Sequence, residues 1–505
     1  MLCVPSSLQE LVLLFAPCFS RPTFETFRTM VVGQISQTSL RTVCGMLVGS
    51  RLSGVWHHAR AHPFFSGARW SVQELGLRVA GLIVERLLEP CAPLVVPVDD
   101  TLAKRRGRKI HACFWDHDAT ANSDRGAVAW GNNWVTAGIN VKLAFLERTV
   151  CLLVLFRLWL PRRKEIPKRK PDPERPSKPR LGREMLCPLA SRFPARKIHG
   201  VGDAAYASGA FAGLPENVTM TSRLRADAAL HRLAAPRPPV GQRKRGRPPK
   251  TGARLPKLAQ IAADPATEWV KTTVTRYTKT ELITTHAFQC LCYDAFGSQP
   301  VQVVLIQDST KPSGYELALV CTDLDASAAQ LIERYAERRP TEVAYEEGKE
   351  LAGVGDARNR APKAVERTVP FQFLCMTLAI IWYALSGHDP SDVAEHRARS
   401  PWYLTETTPS FADMLAKLRR VIIAAQFHPG RGCAPQPAEA ELWKPDLDRG
   451  AVSEPAQPRR LCLGFFLAWC GVSRSLSRTA LPCLTVSCTG RCFSDARPRP
   501  DAELK

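Results

Sequence analysis

Residues 335–353, YAERRPTEVAYEEGKELAG, place one carboxylate, Glu342, among basic and aromatic side chains at a regular spacing. Tyr335, Arg338, Glu342 and Lys349 stand at offsets of 0, 3, 7 and 14. On an unbroken helix these offsets form one stripe, with Tyr345 on the same face. Such a surface joins a hard oxygen ligand to two cations, which suits a polyanion held beside a metal ion. Pro340 interrupts the helix, because proline in a helix interior costs roughly 3 kcal/mol but fits a first turn. The stretch therefore reads as two helices, 326–338 and 340–351, meeting near Arg339.

The rest of the chain sets the context for that surface. Its 505 residues with 45% hydrophobic content can bury a large core, which argues against wholesale disorder. A formal net charge of +22 points to nucleic acid or another polyanion as partner. The 17 cysteines show neither a pair of C-x2-C motifs nor a Cys/His zinc spacing along the chain, so reduced thiols of a cytoplasmic protein are expected. Residues 1–19 lack the basic start of a secretory signal, and Glu10 interrupts their apolar run. The apolar runs 149–160, 371–385 and 461–471 are shorter than the roughly 20 residues of a spanning helix and read as buried strands or core helices, with no membrane partner expected.

Residues 24–88 carry a helical pattern, with Ser71 placed to cap SVQELGLRVAGLIVERLLEP and Pro90 to stop it. A small helical domain at 20–90 is expected, with DNA-end binding as its role; RLSGVWHHARAHPFFSGARW between its helices is either a DNA-contacting segment or a solvated loop. The pattern then changes to strands at 94–100, 134–146 and 149–160, rich in β-branched residues. A Pro- and Lys/Arg-rich loop at 161–182 precedes a helix near 182–190 and the strand KIHGVGD. Four more strand-like runs at 268–278, 280–296, 300–309 and 314–322 suggest an antiparallel insertion or subdomain within about 221–325. Residues 426–505 form a Pro- and Cys-rich tail that neither continues the α/β pattern nor spells a zinc site.

Three acids stand where a sheet delivers side chains to one place. Asp100 ends an apolar strand, Asp203 ends another, and Glu342 lies on a later helix. Carboxylates at the carboxyl ends of neighbouring strands converge, and their oxygens suit Mg²⁺ or Mn²⁺. Two such ions about 4 Å apart activate an attacking water or 3′-hydroxyl and stabilise the leaving oxygen. Asp99 competes with Asp100; Val96 and Val98 share a face with Asp100 and exclude Asp99, which favours Asp100. Asp116, His117 and Asp118 in WDHDATAN read as a polar loop between strands rather than a metal cluster.

These residues carry a family resemblance over roughly residues 20–425. VPVDDT, HGVGDAAYAS and the Y-x2-R-x3-E-x6-K pattern of Tyr335, Arg338, Glu342 and Lys349 resemble the DDE transposases of bacterial insertion sequences, in the cut-and-paste group. The resemblance implies an α/β, RNase H-like catalytic domain at 91–425 with a β-rich insertion between the second and third acids. It implies catalytic and metal-binding roles for Asp100, Asp203 and Glu342 with two Mg²⁺ ions, and phosphate contacts from Tyr335, Arg338 and Lys349. It further implies double-stranded DNA as partner, a homodimer at synapsis, and a cytoplasmic, nucleoid-associated location.

Separately, Arg245, Gly246 and Arg247 form the centre of an AT-hook-like sequence, whose extended backbone suits a narrow minor groove; a basic loop that only neutralises phosphates is the plainer alternative. The function expected is DNA transposition by cleavage and strand transfer. A noncatalytic DNA-binding relic that represses transposition, and a metal-dependent nuclease without strand transfer, are the alternatives.

Overall fold

Local signals in the sequence account for most element boundaries. The Ser71 hydroxyl accepts a hydrogen bond from the Glu74 amide and starts a helix that ends at Arg86, and Pro340 occupies the first turn of the helix carrying Glu342. The computed structural model describes residues 4–118, 128–167, 172–234, 250–310, 314–399, 402 and 407–427. Arg245, Gly246 and Arg247 lie outside these described residues, as does the Pro- and Cys-rich tail from 428 onward.

The chain begins with α1 (Ser6–Leu13), α2 (Arg21–Ser36), α3 (Val43–Gly49), α4 (His62–Ser66) and α5 (Val72–Arg86). Four strands and a helix follow: β1 (Leu94–Lys104), β2 (Phe114–His117), β3 (Val128–Lys142), β4 (Thr149–Trp159) and α6 (Lys178–Arg192). After β5 (Ile198–Gly202), β6 (Val218–Arg223) and α7 (Leu258–Ala263) come β7 (Val270–Arg276), β8 (Lys279–Leu291), α8 (Tyr293–Phe296), β9 (Pro300–Gln307) and β10 (Tyr315–Cys321). The described chain closes with α9 (Ala328–Ala336), α10 (Arg339–Glu350), α11 (Pro362–Trp382), α12 (Asp392–Arg399) and α13 (Phe411–Phe427).

The strands form one ten-stranded mixed sheet in the order β2-β3-β1-β5-β6-β10-β9-β8-β7, with β4 paired to β3. Strand β1 runs antiparallel to β3 and parallel to β5, and β5 runs parallel to β6. This mixed arrangement is the RNase H-like α/β fold. The four strand-like runs of the insertion are present and antiparallel, but they do not make a detached subdomain. Strand β10 pairs with β6 over Leu319–Cys321, so the insertion extends the central sheet.

Both faces of the sheet are covered, which buries both sides of β1. A Cβ on Gly182 of α6 would stand 2.9 Å from Val98 Cγ1, so Val98 faces α6. On the opposite face, the Tyr345 hydroxyl of α10 meets Thr136 Oγ1 of β3 at 2.6 Å, and the Thr341 hydroxyl donates to Cys151 Sγ of β4. Tyr345 is a core residue, not part of an exposed stripe.

Helix α11 and the turn that continues it to Gly387 are long and apolar enough to cross a membrane, yet 89% of the most apolar window is buried within the protein. The Thr377 hydroxyl donates to the Leu153 carbonyl of β4, Phe373 stacks on Phe156, and Phe371 packs edge-on against Phe27 and Phe65. Helices α1–α5, α11, α13 and the sheet thus share one hydrophobic core.

His199 on β5 belongs to the face that carries α9. Burial, then the nearby Arg334 guanidinium, hold its pKa down at about 4 against an ordinary 6.5. The unfolded chain therefore takes up a proton first as pH falls, so stability is intact above pH 6.5 and is lost between 6.5 and 4. The loss attributable to this side chain is up to about 2–3 kcal/mol after solvent screening. In paired denaturant melts at pH 7.5 and 5, His199→Gln is expected to lose less stability than the parent; equal losses would remove His199 as the cause.

Candidate metal and nucleic-acid site

Parallel pairing of β1 and β5 sets Pro97 level with Val201, so Asp99 stands level with Asp203 just past the end of β5. Partners in a parallel pair point to the same face, which places these two acids together on the side covered by α9 and α10. Asp203 caps the short turn that follows it, its carboxylate accepting from the Ala205 amide at 2.9 Å.

Helices α9 and α10 meet as the position of Pro340 foretells, and Arg338 lies at their junction. Its guanidinium donates to Asp99 Oδ2 at 2.7 Å and to Glu342 Oε1 at 2.5 Å, joining β1 to the third acid. Tyr335 shares a hydrogen bond with Arg338 and feels the charges of Arg223 and Asp203. Tyr335, Arg338 and Glu342 thus gather with Asp99 and Asp203. Lys349 sits two turns farther along α10, near Lys104 at the C-terminal end of β1 and Asp118 just past β2.

The carboxylates differ in their surroundings. Burial pushes the Asp99 carboxyl up to about 6; Arg338 and the Asp100 amide pull it down, while the Asp100 and Asp203 charges raise it further. Burial alone would lower the Arg338 pKa, but Asp99 and Glu342 hold it above its ordinary value. Asp99 is only 13% exposed and Glu342 51%, so the site runs from a buried floor to an open rim.

Asp100 points the other way. Its carboxylate accepts from Lys178 Nζ of α6 at 2.7 Å and from Asn133 Nδ2 at 3.1 Å. The parity inference is correct that Val98 and Asp100 share a face, but that face is covered by α6, whereas Arg338 and Glu342 lie on the other. Because β1 is buried on both sides, apolar neighbours alone do not reveal which face holds the site.

Lys178 falls within the segment expected to be an exposed basic loop. Helix α6 begins there because the Ser177 hydroxyl caps the Arg180 amide and Pro179 fits the first turn, a Ser-x-Pro signal readable in the sequence. Earlier in that loop, Arg163 pairs with Asp172 and Glu174. Among the other acids of α10, Glu347 is bound to Arg148, whereas Glu342 is the one tied to Asp99 through Arg338. Asp116 accepts from Asn133, and Asp118 pairs with Lys104.

A family model described as DDE superfamily endonuclease matches residues 14–287, more than half of the chain. The chain belongs to this DDE endonuclease family. The matched region contains Asp99, Asp100 and Asp203 and stops before Glu342, so the Y-x2-R-x3-E-x6-K pattern lies beyond it. No curated protein matches this DDE endonuclease. Family membership accords with a DDE transposase and implies an enzyme of the nuclease or transposase type, acting on DNA; divalent metals are the usual cofactors of such nucleases. The donor set on the α10 face fits them: three carboxylates, among which the Asp203 charge adds to the cost of ionising Asp99, are what hard dications neutralise.

Proposed function

We propose that this protein is a DNA transposase, which binds the terminal inverted repeats of its element, cleaves the DNA ends and joins them to target DNA. The observation that carries the reading is the level placement of Asp99 on β1 and Asp203 just past the end of the adjacent β5, with Glu342 joined to Asp99 through Arg338. Asp203, Glu342 and a β1 acid would hold two Mg²⁺ or Mn²⁺ ions, and Asp99 is preferred over Asp100 because it shares their face. When bound, these ions supply the Lewis acidity for in-line displacement at phosphorus.

The chain's own residues do the rest. Arg338 shields Asp99 and Glu342 from each other, and is placed to turn to a phosphate oxygen when the carboxylates are neutralised otherwise. Tyr335 orients that guanidinium, and Lys349 extends the cationic track along α10. Arg245, Gly246 and Arg247 add a minor-groove contact on sequence grounds, and residues 20–90 contribute end recognition. Synapsis of two ends calls for a homodimer, acting on chromosomal DNA in the cytoplasm.

Purified protein with Mg²⁺ and element-end DNA tests the reading. The parent should nick the ends and yield joined products, while Glu342→Gln should lose nicking by at least about 10²-fold and retain binding in gel shift. Nicking without joined products would leave a nuclease, and binding without nicking in the parent would leave a noncatalytic DNA-binding protein.

A further inference from the structure

Away from the acids, the turn between α3 and α4 brings together three side chains that are distant in sequence. Cys44 on α3, His58 in the short 3-10 turn before α4 and His62 at the start of α4 each present a ligand atom, and these atoms all lie within 4.8 Å of one another. Cys44 Sγ and His62 Nε2 are 3.8 Å apart. Around a tetrahedral zinc ion, with Zn–S of about 2.3 Å and Zn–N of about 2.0–2.1 Å, sulfur and nitrogen ligands stand roughly 3.5 Å apart. Closing this cluster therefore needs a few tenths of an ångström between Cys44 and His62, and at most about 1.5 Å for any other pair, which exposed side chains reach by rotation.

The local fold supports the same placement. Helix α3 ends and the chain reverses through Arg51, whose φ of 59° is left-handed. His57 caps the following turn by accepting from the Ala59 amide, and its ring lies against His58. His58 and His62 are four residues apart and meet edge to face, so their rings converge. All three residues are exposed, which leaves a fourth coordination position to water.

We propose that Cys44, His58 and His62 form a zinc site that staples α3 to α4. One thiolate and two imidazoles are a borderline-soft set, which selects Zn²⁺ over the Mg²⁺ suited to the carboxylates. Binding displaces the Cys44 thiol proton to solvent and forms one Zn–S and two Zn–N bonds. The ion fixes the basic and aromatic segment 51–70, where Arg60 lies over the Trp56 ring.

The test uses the full chain, stripped with chelator under reducing conditions and titrated with Co²⁺. A thiolate-to-cobalt charge-transfer band is expected, which a carboxylate site does not produce, and Zn²⁺ should abolish it. Cys44→Ser and His62→Ala should each remove most of the band. In the unaltered protein, one equivalent of Zn²⁺ should slow alkylation of Cys44 at least tenfold, read by peptide mass mapping. A band of undiminished intensity in both variants, or an alkylation rate of Cys44 unaffected by Zn²⁺, overturns the proposal.

Discussion

Asp99→Asn is expected to lower Mg²⁺-dependent strand cleavage by roughly 10²–10³-fold or more, the loss that follows removal of one group stabilising transition-state charge. Asp100→Asn is expected to cost no more than about tenfold, because it weakens a partly exposed contact with Lys178 on the opposite face of β1. Single-turnover nicking of element-end DNA compares the two variants. The reverse order would make Asp100 the first acid and would require β1 to present its α6 face to the DNA.

The same substitution carries a second, opposite signature. Burial raises the Asp99 carboxyl to about 6 in the folded chain from an ordinary 3.8. Its contribution is therefore most favourable below pH 3.8 and is lost as pH rises through 6, leaving an ionised carboxylate at neutral pH that costs about 2–3 kcal/mol. Without divalent cations at pH 7, Asp99→Asn should thus be more stable than the parent while being inactive. Thermal melts with chelator present check this. A lower melting temperature would mean that the ion pair with Arg338 outweighs the burial of the charge.

Gly348→Ala is expected to impair activity from a distance. An added Cβ would lie 2.4 Å from Phe373 Cε1 and 3.0 Å from Cδ1. That ring is fully buried, stacked on Phe156 and edge-on to Tyr345, so it has little room to yield. The gain in helix propensity, about 1 kcal/mol, is smaller than the overpacking cost of about 1–3 kcal/mol. Helix α10 must shift away from α11, and it carries Glu342. The expected outcome is a net loss of up to about 2 kcal/mol in denaturant melts together with a fall in cleavage rate at saturating Mg²⁺. Unchanged stability and rate would show that the ring does move aside.

Much of this arrangement was legible because single residues have strong local effects. Ser71 marks a helix start, Pro340 divides the stretch that holds Glu342, and the β-branched runs at 270–276 and 300–307 become strands. What escaped were facts set by partners distant in the chain. The pairing of β10 with β6 joins the insertion to the central sheet, and it depends on segments about 100 residues apart whose mutual choice leaves no mark in either. The face of β1 that meets α10 is likewise a property of packing, not of alternation. Cys44, His58 and His62 escaped because zinc spacing is usually sought as two close pairs, whereas here the turn at Arg51 folds a lone cysteine back onto two histidines.

The order of the strands also bears on how the protein comes into being. The first acids lie on β1 and just beyond β5, but the helix with Glu342 leaves the ribosome about 140 residues after Asp203, a delay of roughly 7–28 s at about 5–20 residues per second. Strand β6 also waits for β10 before its outer edge is paired. A nascent chain therefore lacks Glu342 through most of its synthesis, and the cluster of Asp99, Asp203 and Glu342 stays incomplete until α10 has emerged and the sheet can close.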